Sequence, residues 1–146
     1  MKKLLKMLGL LFVAAMLVSC SGNDPDPITE YHLYYDDCFL GRASKAEFEQ
    51  LFTYNALSRG SDCNISGSNL TFTANGFTKY LGLIDASAFV VYSTGGTDYA
   101  NPISEATYNH LGDVLEQPED YTLKGNGKIV VLTDAGYANQ PGLLGN

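Results

Sequence analysis

Three kinds of side chain in this sequence could do chemistry: two histidines, three cysteines and sixteen carboxylates. His32 and His110 are the only imidazoles, and they form no H-E-x-x-H or other two-histidine metal spacing. Each is read as structural, His32 on the polar face of a strand between Tyr31 and Leu33. Asp36-Asp37 is the densest acidic pair on a predicted strand. Neighbouring strand residues point to opposite faces, so the two carboxylates cannot share one site without a bulge. Glu119-Asp120, Asp98 and Asp113 offer further carboxylates on loops, and no spacing selects two of them as an acid and a base. No G-x-S-x-G marks a serine nucleophile. Gly125-Asn126-Gly127-Lys128 resembles a phosphate loop only in composition. No catalytic, cofactor-binding or metal-ligating residue is assigned on these patterns.

Cys38 and Cys63 form an even pair once Cys20 is set apart by the signal described below. In an exported protein such a pair reads as a disulfide, closing a loop of about 25 residues for roughly 3 kcal/mol of stability. Two free thiols or a metal site are the alternatives. Tyrosine is the compositional oddity, with ten Tyr and no Trp. A phenol offers a large rigid contact with a polar tip, which suits protein or glycan recognition, although half-buried sheets also favour it. Tyr34 and Tyr80, on the predicted polar faces of their strands, are the candidate ligand contacts.

The N-terminus carries an address. Lys2, Lys3 and Lys6 precede an uncharged apolar run of twelve residues, Met7 to Val18. That length fits a signal-peptide core and falls short of the roughly 20 residues of a membrane helix. The run ends in Leu17-Val18-Ser19-Cys20. These residues resemble the lipobox of bacterial lipoproteins. The resemblance covers residues 1–20. It implies removal of residues 1–19, lipid on the Cys20 thiol and acylation of the new amino terminus. Several acyl chains anchor stably where one would not. An ordinary secretory signal is the alternative. Residues 20–27 read as a flexible tether with two prolines. Its two aspartates are similar to export signals that follow the lipid cysteine in some Gram-negative bacteria, which implies the outer membrane and its outer face. Further along, Ser61-Asp62-Cys63-Asn64-Ile65-Ser66-Gly67 is similar to a turn of the META-domain lipoproteins, but that family's later threonine-to-cysteine segment is missing.

The whole chain of 146 residues has nine basic and sixteen acidic side chains, a formal charge of -7. Loss of the three leader lysines leaves six against sixteen, or -10. Such a charge repels phosphate backbones and argues against nucleic acid as a partner.

The elements that must position these residues follow from pattern and turn chemistry. Residues 28–40 predict one strand, with Tyr31, Leu33, Tyr35 and Phe39 on one face. Ser44-x-x-Glu47 is a capping box, followed by Phe48, Leu51 and Phe52 at helical spacing. Leu70 to Leu81 predicts a hairpin turning at Asn75-Gly76, with Lys79 a misfit on its apolar face. Ala88 to Thr94 predicts a strand closed by Gly95-Gly96, and 97–102 a loop. Residues 104–117 suit a helix capped by Ser104, with two short strands turned at Gly112-Asp113 as the alternative. Tyr121 to Thr133 predicts a second hairpin around Asn126-Gly127, pairing Leu123 with Val130 and Tyr121 with Leu132. Residues 134–146 read as a loose tail with room for a short docking contact, and no solenoid or propeller period is present.

The expected fold is therefore one α+β domain over 28–133: an antiparallel sheet of about six strands, two Asn-Gly hairpins, and one or two helices on one face. The expected function is a lipid-anchored, non-enzymatic binding or accessory protein of the cell envelope, with a protein or glycan partner. A small hydrolase using loop carboxylates and a structural subunit of a surface assembly are the alternatives. An enzyme requires a concave site with two carboxylates roughly 5–9 Å apart, a binder an exposed aromatic patch, and an assembly subunit a long open strand edge.

Overall fold

The computed structural model describes residues 27–145. The leader, Cys20 and all of the tether but Pro27 lie outside the described residues. The described residues are α+β, but they build two mixed four-stranded sheets and four helices instead of one antiparallel sheet. In order these are β1 (Glu30–Tyr35), β2 (Cys38–Ser44), α1 (Lys45–Thr53), β3 (Cys63–Ser66), β4 (Asn69–Phe72) and α2 (Ala74–Leu83). There follow β5 (Ala88–Thr94), β6 (Thr97–Ile103), α3 (Glu105–Val114), β7 (Tyr121–Lys124), β8 (Ile129–Leu132) and α4 (Asp134–Asn139). A short 3-10 turn, Pro141–Leu144, closes the chain.

The second half repeats the first. Each half runs β-β-α-β-β-α, and the strand orders are β2-β1-β4-β3 and β6-β5-β8-β7. In both, the first strand lies parallel to the fourth, and the third antiparallel to the fourth. Capping serines Ser44 and Ser104 accept from the backbone N–H three residues on. The most detailed match is a clasp at the end of each half. The Asp62 carboxylate accepts from Ser58 N–H at 2.8 Å, and its carbonyl accepts from Thr73 N–H at 2.9 Å. Asp120 does the same with Glu116 and Thr133, both at 2.9 Å. Thr73 and Thr133 then cap α2 and α4 by accepting from Gly76 and Gly136, each at 3.1 Å. Only glycine fits at these two positions. A Cβ on Gly76 would stand 1.7 Å from the Asp62 carbonyl oxygen, and one on Gly136 1.9 Å from that of Asp120. The contacts divide the chain into two units: residues up to Tyr34 with Arg42–Ile84, and Tyr35–Gly41 with Asp85 onward.

Four expectations are corrected. The strand over 28–40 is broken at Asp36-Asp37, which form a turn with φ of 50° and 62° instead of occupying opposite strand faces. The 70–81 hairpin is instead β4 followed by α2. Asn75 and Gly76 would both need positive φ in a type I′ turn, and neither has it. Helical geometry puts Phe77, Tyr80 and Leu81 on one buried face. A hairpin leaves Tyr80 outside, and burying such a ring contributes about 1.5–3 kcal/mol. Residues 97–102 are not a loop but most of β6. Over 134–144 the expected loose tail is instead α4 and the 3-10 turn, and the docking contact is made by Leu143 and Leu144, which pack on the core of Val90, Leu111, Tyr121 and Val130. The second hairpin has the expected register, Leu123 opposite Val130 and Tyr121 opposite Leu132, and residues 105–114 are helical.

The Cys38–Cys63 disulfide is absent: both thiols are free and buried. The sheet order explains this. Cys38 opens β2 at one edge and Cys63 opens β3 at the other. Three strand spacings of roughly 4.8 Å separate them, against a limit of about 7 Å between bridged Cα atoms. Burial pushes the Cys63 thiol up to about 11, with Asp62 adding to it. Burial, then Asp36 and Asp37, also raise Cys38, against Lys124.

Candidate functional site

An aromatic cleft lies in the second unit and is built by three elements. The β5–β6 hairpin turns at Gly95-Gly96 with φ of 57° and 79°, a left-handed pair that glycine adopts without strain. Its register sets Tyr92 directly opposite Tyr99, so both rings stand on one face of the sheet, with Thr94 two residues on. Helix α4 adds Tyr137, whose ring stacks on Tyr92 at 4.6 Å between centroids and 11° between planes. One turn earlier, Asp134 Oδ1 accepts from the Tyr92 hydroxyl at 2.7 Å. That bond is the main cause raising the Tyr92 phenol above its ordinary pKa. Pro141 starts the 3-10 turn, and Asn101 Nδ2 holds it to β6 by donating to the Leu143 carbonyl at 2.9 Å. The result is a cleft of about 330 Å³ lined by Tyr92, Thr94, Tyr99, Tyr137, Pro141 and Leu144. This is the small end of the range for ligand sites. Tyr99 is 47 % exposed and Tyr137 38 %, while Tyr92 is buried beneath them at 7 %.

The internal repeat shows what is special about this place. Strand register and the capping serines equate Tyr92 with Tyr35, Tyr99 with Phe39, Tyr137 with Phe77 and Pro141 with Leu81. In the first unit Phe77 and Leu81 are buried, and α2 runs its full ten residues. In the second unit proline cannot continue the helix and α4 stops after six residues. Tyr137 and Pro141 thus stand where the first repeat has the buried Phe77 and Leu81, Tyr99 stands where it has the half-buried Phe39, and Tyr92 where it has another tyrosine, Tyr35.

The residues singled out from sequence fare differently. Tyr80 is not a surface contact: it sits on the inner face of α2, 8 % exposed, with its ring stacked on Phe72 at 4.9 Å. Burial is the main cause that holds its phenol far above the ordinary value. Tyr34 is half-buried on β1, opposite Thr71. Lys79 is no misfit, because its ammonium pairs with the buried Asp62 carboxylate at 3.1 Å. His32 is half-buried on β1, and the exposed His110 bonds Asp113 at 2.9 Å within α3. Asp36 accepts from Gly125 N–H at 2.8 Å, and Asp120 is part of the second clasp. A wider hollow of about 510 Å³ is bordered by Asp85 and Glu105, both exposed, so its walls do not desolvate either carboxylate. Among the described residues no three His, Cys, Asp or Glu side chains are grouped to hold a metal ion. No helix among them is long and apolar enough to cross a membrane.

The strand expected over Ala88 to Thr94 is β5 and carries Tyr92, but sequence reading missed the group because 97–102 reads as a loop and 134–146 as a tail, which hides Tyr99 and Tyr137. The signal that finds Tyr137 is the repeated phrase Thr73-Ala-Asn-Gly-Phe77 and Thr133-Asp-Ala-Gly-Tyr137. Compared with protein-family models, curated proteins and solved structures, the chain matches none.

Proposed function

We propose that this protein is a lipid-anchored binding module of the bacterial cell envelope that engages a protein or glycan through the tyrosine cleft of its second unit. The observation carrying the binding half is the pair of exposed rings, Tyr99 and Tyr137, over a buried and hydrogen-bonded Tyr92. Rigid aromatic surface of this kind yields contact energy at small entropic cost. The repeat supports it, since the first unit buries Phe77 and Leu81 at the positions of Tyr137 and Pro141. The anchoring half rests on Leu17-Val18-Ser19-Cys20 after an apolar run of signal-peptide length. Acyl chains on Cys20 would hold the module at the outer membrane, and the tether to residue 27 gives it reach. The acidic balance of the mature chain argues against nucleic acid as the partner.

Mass spectrometry of the protein from its own cells tests the anchor: the expected N-terminus is an acylated Cys20, and an unmodified Cys20 thiol removes that half. Retention of envelope components on the immobilised soluble chain, begun after Cys20, tests the other half. Tyr99→Ala with Tyr137→Ala should lose at least tenfold of a saturable retention. Equal retention by the double variant would move binding elsewhere.

A further inference from the structure

We infer that the tyrosine cleft receives the side chain of a lysine or arginine from a basic segment of the partner protein. This deepens the binding reading above and rests on it. The chemistry of the walls comes first. Three phenol rings, a proline and a leucine give π faces and aliphatic surface, and no lysine or arginine lines the cleft. A cation is drawn to the negative face of an aromatic ring, and its methylene stem is covered by the apolar walls. The Asp134 carboxylate does not line the cleft but is bonded to its Tyr92 wall. It already accepts from the Tyr92 hydroxyl, and its side chain is exposed, so an incoming ammonium or guanidinium finds a counter-charge next to the stack.

The net charge of the part of the chain that builds the cleft has the same sign. Residues 85–146 hold eight carboxylates against two lysines, and both lysines, Lys124 and Lys128, flank the β7–β8 turn and not the cleft. Such a charge draws in basic partners and repels acidic ones. Size argues for one side chain instead of an oligosaccharide: about 330 Å³ is near the lower bound for ligand sites. The walls also lack the planar amide and carboxylate side chains that would hold several sugar hydroxyls, Thr94 being the sole aliphatic hydroxyl among them. The chain makes this kind of contact elsewhere: the Arg59 guanidinium lies 4.5 Å from the Phe52 centroid and Lys128 Nζ 5.9 Å from that of Tyr108.

The soluble chain begun after Cys20, titrated by NMR, provides the test. The probes are N-acetyl-arginine amide, N-acetyl-lysine amide, a short arginine-rich peptide, uncharged N-acetyl-citrulline amide and methyl glucoside. The expected result is that the cationic probes shift the Tyr99 and Tyr137 ring resonances, while citrulline binds at least tenfold more weakly. The peptide should bind more tightly than the single residue. Added salt should weaken both, as expected for attraction between partly exposed charges. Tyr137→Ala should abolish the shifts, Tyr137→Phe should keep them by preserving the ring face, and Asp134→Asn should weaken binding roughly three- to tenfold. Citrulline or methyl glucoside binding as well as arginine would overturn the inference while leaving a binding cleft in place. Silence of the cleft toward all cationic probes would overturn it too, and the retention experiment above then decides separately whether the cleft binds anything.

Discussion

Two glycines hold the two halves closed. Gly76 and Gly136 let the first turn of a helix touch the carbonyl of a buried aspartate, where even a methyl group has no room. Gly76→Ala or Gly136→Ala is expected to cost about 3 kcal/mol or more in chemical denaturation, since the obstructing atoms are backbone and cannot step aside. The thiols give a second residue-level test. Cys38 and Cys63 should resist alkylation in the folded soluble chain and both react on unfolding without any reductant; a need for reductant would restore the disulfide. Their titration has a definite sign. Folding raises both thiols from 9.0, Cys63 to about 11, and raises the Tyr31, Tyr80 and Tyr92 phenols from 10.0. A raised acid is easier to ionise in the unfolded chain, so its stabilising contribution is whole below about pH 9 and declines as pH climbs above it. Denaturation midpoints should therefore hold steady from neutral pH to about 9 and fall beyond it.

At the scale of elements, what could be read from sequence depended on whether one signal stood alone. Ser44 and Ser104 each precede a helical stripe, and both helices form where the pattern puts them. The β7–β8 register was legible because turn chemistry and alternating apolar residues agree. Asn75-Gly76 misled because the same dipeptide suits a type I′ turn and the first turn of a threonine-capped helix. Only the partner of Gly76, the Asp62 carbonyl fourteen residues earlier, separates the two, and that contact is invisible locally. Asp36-Asp37 misled in the opposite sense: two residues that tolerate positive φ were read as strand and are a turn. Two other glycines test α2 and α3 directly. Gly82 and Gly112 sit in these helices with open space where a Cβ would go. Gly82→Ala and Gly112→Ala should each stabilise the chain by roughly 0.5–1 kcal/mol; destabilisation at residue 82 would contradict the helix that replaces the expected hairpin.

At the scale of the whole chain, the internal duplication organises everything else. Its two copies share a clasp bond for bond, down to the serine or glutamate N–H on the buried aspartate. They differ in the residue that meets this carboxylate from the last helix: Lys79 in the first unit and Asn139 in the second, at 3.1 Å each. They also differ where the second copy exchanges Phe77 and Leu81 for Tyr137 and Pro141 and so opens the cleft. That divergence was not legible beforehand, because two copies of about sixty residues with few identities carry no obvious period. The proposed lipobox rests, by contrast, on a local signal of length, charge and one cysteine. The claim on which the account turns is that the tyrosine cleft is where the partner sits. An NMR footprint of the soluble chain with its purified envelope partner measures this directly. The account predicts shifts concentrated at Tyr92, Thr94, Tyr99, Tyr137 and Leu144; a footprint confined to the first unit or to the hollow beside Asp85 and Glu105, with those five residues unmoved, would contradict it.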